Sequence, residues 1–65
     1  MEILTWYARQ KQNLSLQQLS ELTGIGKSTL NRIENGQTSP TIAQLEVIAK
    51  VTGTRITDLF LSDYK

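Results

Sequence analysis

The sequence contains no cysteine and no histidine. Without cysteine the chain has no disulfide, no thiolate metal site and no thiol nucleophile. Without histidine it has no imidazole base and lacks the commonest zinc ligand. Its six acidic residues are scattered along the chain and form no constellation. We therefore expect no enzymatic activity, no bound metal and no cofactor.

Long apolar runs are also missing. None approaches the roughly 18 residues of a transmembrane helix. The first ten residues, MEILTWYARQ, carry an acid and polar residues where a signal peptide would be apolar. These absences predict a cytoplasmic protein without membrane association. The formal net charge of +1 neither requires nor excludes an anionic partner.

Four glycines and one proline divide the 65 residues into short segments. No segment alternates between apolar and polar residues beyond a few positions, and the chain has no repeat, low-complexity tract or linker. The sequence therefore predicts a single all-α domain over residues 1–65. Its five short helices are expected at about residues 2–12, 15–23, 27–35, 41–52 and 57–62.

The second predicted helix has the clearest boundaries. Ser15 can cap it, and Gln18 three residues later completes a capping box. Gly24 stands where a left-handed residue commonly ends a helix. Leucine recurs at every third position, which predicts a buried stripe of Leu16, Leu19 and Leu22. The other predicted core residues are Leu30, Ile33, Leu45 and Ile48.

The first predicted helix offers two apolar stripes. Met1, Leu4 and Ala8 share one face, whereas Ile3 and Tyr7 share an adjacent one. The pattern alone does not decide which of the two is buried.

The start of the fourth predicted helix also has two interpretations. Thr41 can cap it with Gln44 at the third helical position, or Ser39 can cap it with Pro40 at the first. Its apolar stripe is the same in either case and consists of Ile42, Leu45, Ile48 and Ala49.

Residues 24–29, GIGKST, end like a phosphate-binding loop, G-x-x-x-x-G-K-[ST]. The first glycine of that motif would fall at position 21, which is Glu21. The motif would also follow a buried strand, whereas LSLQQLSELT has the pattern of a helix. A chain of this length cannot hold the sheet on which such sites are built. Nucleotide binding is therefore not expected.

The same stretch fits the turn between two helices. Gly24 lets the backbone turn at positive φ, Ile25 can fill the corner, and Gly26 begins the next helix. That helix has an apolar back, Leu30 and Ile33, and a polar front. The front consists of Ser28, Asn31, Arg32 and Asn35, at positions i, i+3, i+4 and i+7. Such a helix fits the major groove of B-DNA, where short and bidentate polar side chains read the base edges.

These residues resemble the phage-repressor and Cro-like helix-turn-helix domains, the XRE family of bacterial transcription regulators. The resemblance runs from about Arg9 to Leu61 and is carried by LSLQQLSELTGIGKSTLNRIENG, SPTIAQLEVIAKVTG and ITDLF. The combination of TLNRIENG, a following proline and LEVIAK is specific. The resemblance implies a lambda-repressor-like fold that binds double-stranded DNA with sequence specificity.

The resemblance also implies roles for particular residues. The family reads bases with the start and exposed face of the third helix, here Lys27, Ser28, Asn31 and Arg32. It contacts phosphates with the start of the second helix and the loop after the third, here Ser15, Leu16, Asn35, Gln37, Thr38 and Ser39. It joins the first and third helices by a structural ion pair, here Arg9 and Glu34.

The chain departs from the family pattern at three points. Leu16 replaces a glutamine that is common at the start of the second helix, which removes one side-chain phosphate contact. Thr5 and Thr52 stand where the family usually places larger apolar residues, so a thin core is expected there. Between residues 26 and 39 the only charged residues are Lys27, Arg32 and Glu34.

So few cations predict modest non-specific affinity for DNA and a shallow dependence on salt. Tight binding is therefore expected to need a homodimer on a palindromic operator. The apolar tail provides the candidate dimer interface, formed by Ile56, Phe60, Leu61 and Tyr64. Trp6 is expected to point partly outward if Leu4, Thr5 and Ala8 face the core. An exposed tryptophan can mark an interface or fold over the edge of the core, and both remain open.

The predicted function is transcriptional regulation, with repression by occupation of a promoter site and no evident small-molecule effector site. The alternative is a protein-interaction module on the same fold, such as the antitoxin of a toxin–antitoxin pair. A long partner-binding tail would favour the alternative, and only residues 62–65 follow the last predicted helix.

Overall fold

Four α-helices and a short two-stranded sheet make up the fold, and the sheet joins the two ends of the chain. The computed structural model describes all of residues 1–65. No helix combines the length and the apolar character that crossing a membrane requires. In chain order the elements are β1 (Glu2–Ile3), α1 (Thr5–Lys11), α2 (Leu16–Thr23), α3 (Lys27–Glu34), α4 (Ile42–Thr52), a 3₁₀ helix (Ile56–Leu59) and β2 (Phe60–Leu61).

The prediction of five α-helices is wrong at both ends of the chain. Residues 2 and 3 form β1, and the 3₁₀ helix and β2 replace the predicted helix at 57–62. The strands run antiparallel, with Glu2 opposite Leu61 and Ile3 opposite Phe60. This pairing satisfies backbone groups that two frayed helix ends would leave to water. It joins residues too distant in sequence for a local pattern to reveal.

Reciprocal side-chain caps fix the starts of α2 and α4. Ser15 Oγ accepts a hydrogen bond from the Gln18 N–H at 3.0 Å, and Gln18 Oε1 accepts one from the Ser15 N–H at 2.8 Å. Thr41 and Gln44 form the same pair at α4, with distances of 3.0 and 2.9 Å. The predicted capping box of α2 is confirmed, and Thr41 rather than Ser39 caps α4.

The core lies between the four helices and the 3₁₀ helix. Its contiguous cluster consists of Ala8, Leu19, Leu30, Leu45, Ile48, Ala49 and Leu59. Ile33 is fully buried as well. On α1, Thr5, Ala8 and Arg9 face inward. Of the two predicted stripes, the one with Leu4 and Ala8 therefore faces the core, whereas its first member, Met1, is exposed. Trp6 and Tyr7 remain exposed.

Two of the predicted core positions are wrong. Leu22 is 57% exposed and Ile42 is 70% exposed. Side chains three positions apart on a helix differ in direction by about 60°, because each residue turns the helix by about 100°. A stripe centred on the fully buried Leu19 therefore carries Leu16 to one margin, where it is half-buried, and Leu22 to the other, where it leaves the core. Ile42 is the first residue of α4 and lies at its exposed start.

The two buried threonines differ in their hydrogen bonding. Thr52 Oγ1 donates to Ile48 O at 2.7 Å and lies 3.0 Å from Thr54 Oγ1. Thr5 Oγ1 is equally buried but has no hydrogen-bond partner. Burying a hydroxyl without a partner costs roughly 1–3 kcal/mol. The position of Thr5 is therefore a weak point of the core.

Thr5→Val is expected to raise the free energy of unfolding by about 1 kcal/mol, because it removes the unpaired hydroxyl and keeps the branched shape. Thr52→Val is the matched control and is expected to lower the free energy of unfolding by about 1 kcal/mol, because it removes a hydroxyl that is bonded. Urea unfolding followed by circular dichroism measures both. Equal losses of stability in the two variants would mean that the Thr5 hydroxyl contributes to stability after all.

Candidate nucleic-acid interface

The helix α3 divides cleanly into a buried back and an exposed front. Leu30 and Ile33 are fully buried against the rest of the fold. The other side is exposed and carries the residues predicted to read bases, together with one predicted phosphate contact: Lys27, Ser28, Asn31, Arg32 and Asn35. The structure therefore brings the predicted base-reading residues together on one open surface.

Hydroxyl groups of α2 hold the turn between α2 and α3. The Ser20 hydroxyl donates to Ile25 O at 2.6 Å, and the Ile25 N–H donates to Thr23 Oγ1 at 3.2 Å. The Thr23 hydroxyl donates in turn to Leu19 O at 2.7 Å. Gly24 supplies the left-handed residue, with φ of 75°. Both the C=O and the N–H of Ile25 are thus hydrogen-bonded to side chains of α2. These bonds hold the turn and fix the angle between α2 and α3.

The sequence analysis did not assign Ser20 and Thr23 this role. Two hydroxyl residues in the last turn of a helix, directly before Gly-x-Gly, are the pattern that could have indicated it. Serine and threonine in a helix commonly bond to nearby backbone groups, and here those groups belong to the turn.

A buried ion pair joins α1 to α3. Arg9 Nε lies 2.7 Å from Glu34 Oε2, and Arg9 Nη2 lies 2.9 Å from Glu34 Oε1, so the pair is bidentate. Arg9 Nη1 donates to Leu14 O at 2.9 Å and thereby also holds the segment between α1 and α2. The hydrogen bond with Glu34 raises the pKa of Arg9 above its ordinary value, although burial acts in the opposite direction. Arg9 is therefore a permanent cation of the fold.

The cations of α3 have no acidic partner. Arg9 and Glu34 form the single salt bridge of the structure, so the exposed side chains of Lys27 and Arg32 are free to meet an anion. The side chain of Asn31 accepts a long hydrogen bond from Asn35, at 3.4 Å. The first amides of α3 have no acceptor within the helix, and its cap Gly26 contributes no side chain to satisfy them. Free N–H groups at a helix start add to the positive potential there.

The predicted phosphate contacts lie at two exposed places, the start of α2 and the loop between α3 and α4. Ser15 Oγ accepts from Gln18, which leaves its hydroxyl hydrogen free, and the Leu16 N–H has no acceptor within α2. In the loop, Gln37, Thr38 and Ser39 are exposed. The N–H groups of Thr38 and Ser39 make no backbone or side-chain hydrogen bond. Both places therefore offer uncharged N–H and O–H groups that can donate hydrogen bonds to a phosphate.

Residues 7–59 of this chain match the model of the helix-turn-helix family. The chain belongs to the helix-turn-helix family. It is 36% identical over 52 residues to the HTH-type transcriptional regulator PuuR of Escherichia coli (strain K12), which covers 80% of this chain and 28% of that protein. The PuuR of Shigella flexneri matches to the same extent. The chain is also 46% identical over 41 residues to the HTH-type transcriptional regulator SutR of Escherichia coli (strain K12). This match covers 63% of this chain and 23% of SutR.

The helix-turn-helix domain described here spans about a quarter of the length of these relatives. The family comprises DNA-binding regulators of transcription, and the relatives are transcriptional regulators by name. The matched region includes all four α-helices apart from Thr5 and Trp6 of α1, and it contains every residue predicted to meet DNA.

The predicted dimer contact of the helix-turn-helix domain is only partly free. Leu61 and Tyr64 are exposed, whereas Ile56 and Phe60 are half-buried against the core. The amino group of Lys65 donates to Phe60 O at 2.7 Å and lies 5.3 Å from the centre of the Phe60 ring. Two of the four predicted residues thus contribute to the fold itself.

No group of three or more acidic, cysteine or histidine side chains in the helix-turn-helix domain could hold a metal ion.

Proposed function

We propose that this domain binds double-stranded DNA with sequence specificity by placing α3 in the major groove, and that it regulates transcription, as a repressor, by occupying a promoter site. The observation that carries the proposal is the exposed front of α3, with two unpaired cations and neighbouring amides on a rigidly held helix. A major groove admits one α-helix, and side chains of these kinds match the donors and acceptors of its base edges.

Base reading is assigned to Lys27, Ser28, Asn31 and Arg32. The guanidinium of Arg32 can donate two hydrogen bonds to guanine O6 and N7, and the amide of Asn31 can pair with adenine N6 and N7. Lys27 and Ser28 lie at the start of α3, where helix-turn-helix proteins approach the base edges. Each bidentate pair discriminates against the wrong base by about 1–3 kcal/mol.

Phosphate binding is assigned to Ser15, Leu16, Asn35, Gln37, Thr38 and Ser39. Their free amides, hydroxyls and carboxamides fix the position of the domain on the duplex without reading sequence. Because none of these residues is charged, they release no counterions, and the affinity is expected to depend only weakly on salt.

A homodimer would compensate for this small electrostatic contribution. We assign its contact to the exposed side chains of Leu61 and Tyr64 with the accessible parts of Ile56 and Phe60. A two-fold dimer would place two α3 helices about 34 Å apart, one turn of DNA, and would read a palindromic operator.

Selection from a randomised duplex pool at about 0.1 M salt tests the proposal. Enrichment of an inverted repeat with half-sites about ten base pairs apart is expected. Enrichment of a single half-site would support DNA binding and contradict the proposed dimer. No enrichment would contradict the proposal and favour the protein-interaction module, for example an antitoxin.

Arg32→Ala is expected to weaken binding to the selected duplex by about 1–3 kcal/mol and to relax the preference at one base pair. Lys50→Ala removes an equal charge from an exposed position of α4 outside the proposed contacts and serves as the control. Fluorescence anisotropy titrations with the selected duplex and with single-base variants of it measure both effects. A uniform loss across all sequences would identify Arg32 as a phosphate contact instead of a base contact.

A further inference from the structure

An open groove separates the N-terminal segment of the domain from the loop between α3 and α4. Its volume is about 550 Å³. One wall consists of Met1, Glu2, Ile3, Trp6 and Tyr7, and the other of Glu34, Asn35, Gly36, Thr38 and Ser39. The second wall therefore contains three of the residues proposed to contact phosphates, so the groove is continuous with the proposed DNA interface.

Two aromatic side chains stand exposed in this groove. Trp6 is 45% exposed and Tyr7 is 62% exposed. Their rings pack edge to face, with centroids 5.1 Å apart and an angle of 87° between planes. Neither the Trp6 indole N–H nor the Tyr7 hydroxyl has a hydrogen-bond partner among the side chains or backbone of the domain. Tyrosine and tryptophan are enriched at interfaces, where the O–H or N–H finds a hydrogen-bond partner once it is buried.

The two walls are held at a fixed separation. Arg9 follows Trp6 by one turn of α1, and its partner Glu34 lines the opposite wall. Because this bidentate pair is buried, the position of Trp6 relative to the loop is set by the core of the fold and not by flexible surface side chains. The groove is thus a preformed surface with uncharged donors on both sides: the Trp6 indole and Tyr7 hydroxyl on one, and the amides of Thr38 and Ser39 on the other.

We propose that this groove binds the sugar–phosphate backbone of the DNA, with Trp6 and Tyr7 as donors facing those of the loop. The proposal rests on the proposed function and extends its phosphate-binding surface to α1. The groove has no lysine or arginine in its lining, so these contacts add affinity without adding to the salt dependence. Glu2 is the exposed acid of the groove, and its carboxylate opposes the approach of a phosphate.

Trp6 is the single tryptophan of the chain, so its fluorescence reports directly on the groove. A mixed-sequence duplex is titrated at about 50 mM salt, which strengthens the attraction between the duplex and the two cations of α3. Anisotropy of a label on the duplex measures binding, and acrylamide quenching measures the accessibility of Trp6. We expect the quenching constant of Trp6 to fall as the duplex saturates the protein.

The outcomes separate the two proposals. If the duplex binds and the quenching of Trp6 does not change, the assignment of the groove to the DNA backbone is wrong and the proposed function stands. Absence of binding to any duplex would overturn both. A fall in quenching with protein concentration in the absence of DNA would assign the groove to a protein contact and overturn the proposal in its present form.

Two substitutions test the direction of the effect. Trp6→Phe keeps an aromatic ring and removes the N–H, and it is expected to weaken binding about 2- to 10-fold at an unchanged salt slope. Glu2→Gln removes the opposing charge and is expected to tighten binding, by up to about five-fold. Glu46→Gln, an exposed acid of α4 outside the groove, is the control. If Glu2→Gln and Trp6→Phe both bind like the parent chain, no phosphate lies in the groove.

Discussion

Replacement of Glu34 by alanine is expected to lower the free energy of unfolding by about 3–5 kcal/mol. The loss is large because the Arg9 guanidinium remains behind, buried and without its bidentate partner. A domain of this length has a total stability of roughly 3–10 kcal/mol. The substitution should therefore remove a large part of the total stability, and urea titration or thermal unfolding by circular dichroism will measure the loss.

Two further variants separate the buried pair from the general effects of substitution. Glu46→Ala removes an exposed acid from α4 and is expected to change the stability by less than about 0.5 kcal/mol. The double variant Arg9→Met/Glu34→Leu replaces both charges by apolar side chains of similar size and should recover most of the stability. If Glu34→Ala is as stable as Glu46→Ala, the ion pair does not hold α1 to α3.

Leu19→Ala is expected to cost about 2–5 kcal/mol, the usual range for truncating a fully buried leucine. Leu19 lies in the contiguous core cluster, so its truncation leaves a cavity among the helices. The measurement is the urea midpoint, with the slope of the unfolding free energy against urea expected to stay unchanged.

Leu22→Ala is the matched comparison, because the same helix carries the same residue one turn later. Its side chain is mostly in solvent, and a surface substitution of this kind usually changes stability by less than about 0.5 kcal/mol. The two variants differ only in which side of α2 they truncate. Equal losses would mean that Leu22 is buried in solution, in a dimer or against another segment.

Local chemistry made the starts of α2 and α4 predictable. A capping box needs only four consecutive residues, so Ser15 with Gln18 could be identified from the sequence, and Thr41 with Gln44 was one of two possible starts. The end of α1 was expected at about residue 12 and lies at Lys11, followed by Asn13 at φ of 56° where glycine is the usual residue. The Leu14 N–H donates to Arg9 O at 3.1 Å across this turn.

Features that depend on distant residues could not be predicted. The pairing of β1 with β2 requires both ends of the chain, and neither strand has a pattern longer than two residues. Helical periodicity carries Leu16 and Leu22 to opposite margins of the stripe centred on Leu19. Which of the two margins is covered depends on how α3 and α4 pack against α2, and the sequence of α2 does not contain that information. The missing hydrogen-bond partner of the Thr5 hydroxyl could not be predicted either, because an expected burial does not say which acceptors lie nearby.

The candidate interface combines both kinds of information. The spacing of Ser28, Asn31, Arg32 and Asn35 predicted a polar face, and the family resemblance suggested what that face would do. The roles of these residues remain predictions. The structure adds the hydroxyls of Ser20 and Thr23 that fix the turn, and it adds the groove beside Trp6. The groove could not be found from one helix considered alone, because its two walls come from different parts of the chain.

The antiparallel pairing of β1 with β2 makes the first and last residues of the fold neighbours in space. A protein that carried this domain inside a longer chain could therefore enter and leave it at nearly the same point. Domains whose ends adjoin are suited to insertion within a loop of a host protein and to circular permutation, since a short linker can join the original ends. Because the small sheet holds the two ends together, the domain is suited to transfer between proteins as one unit.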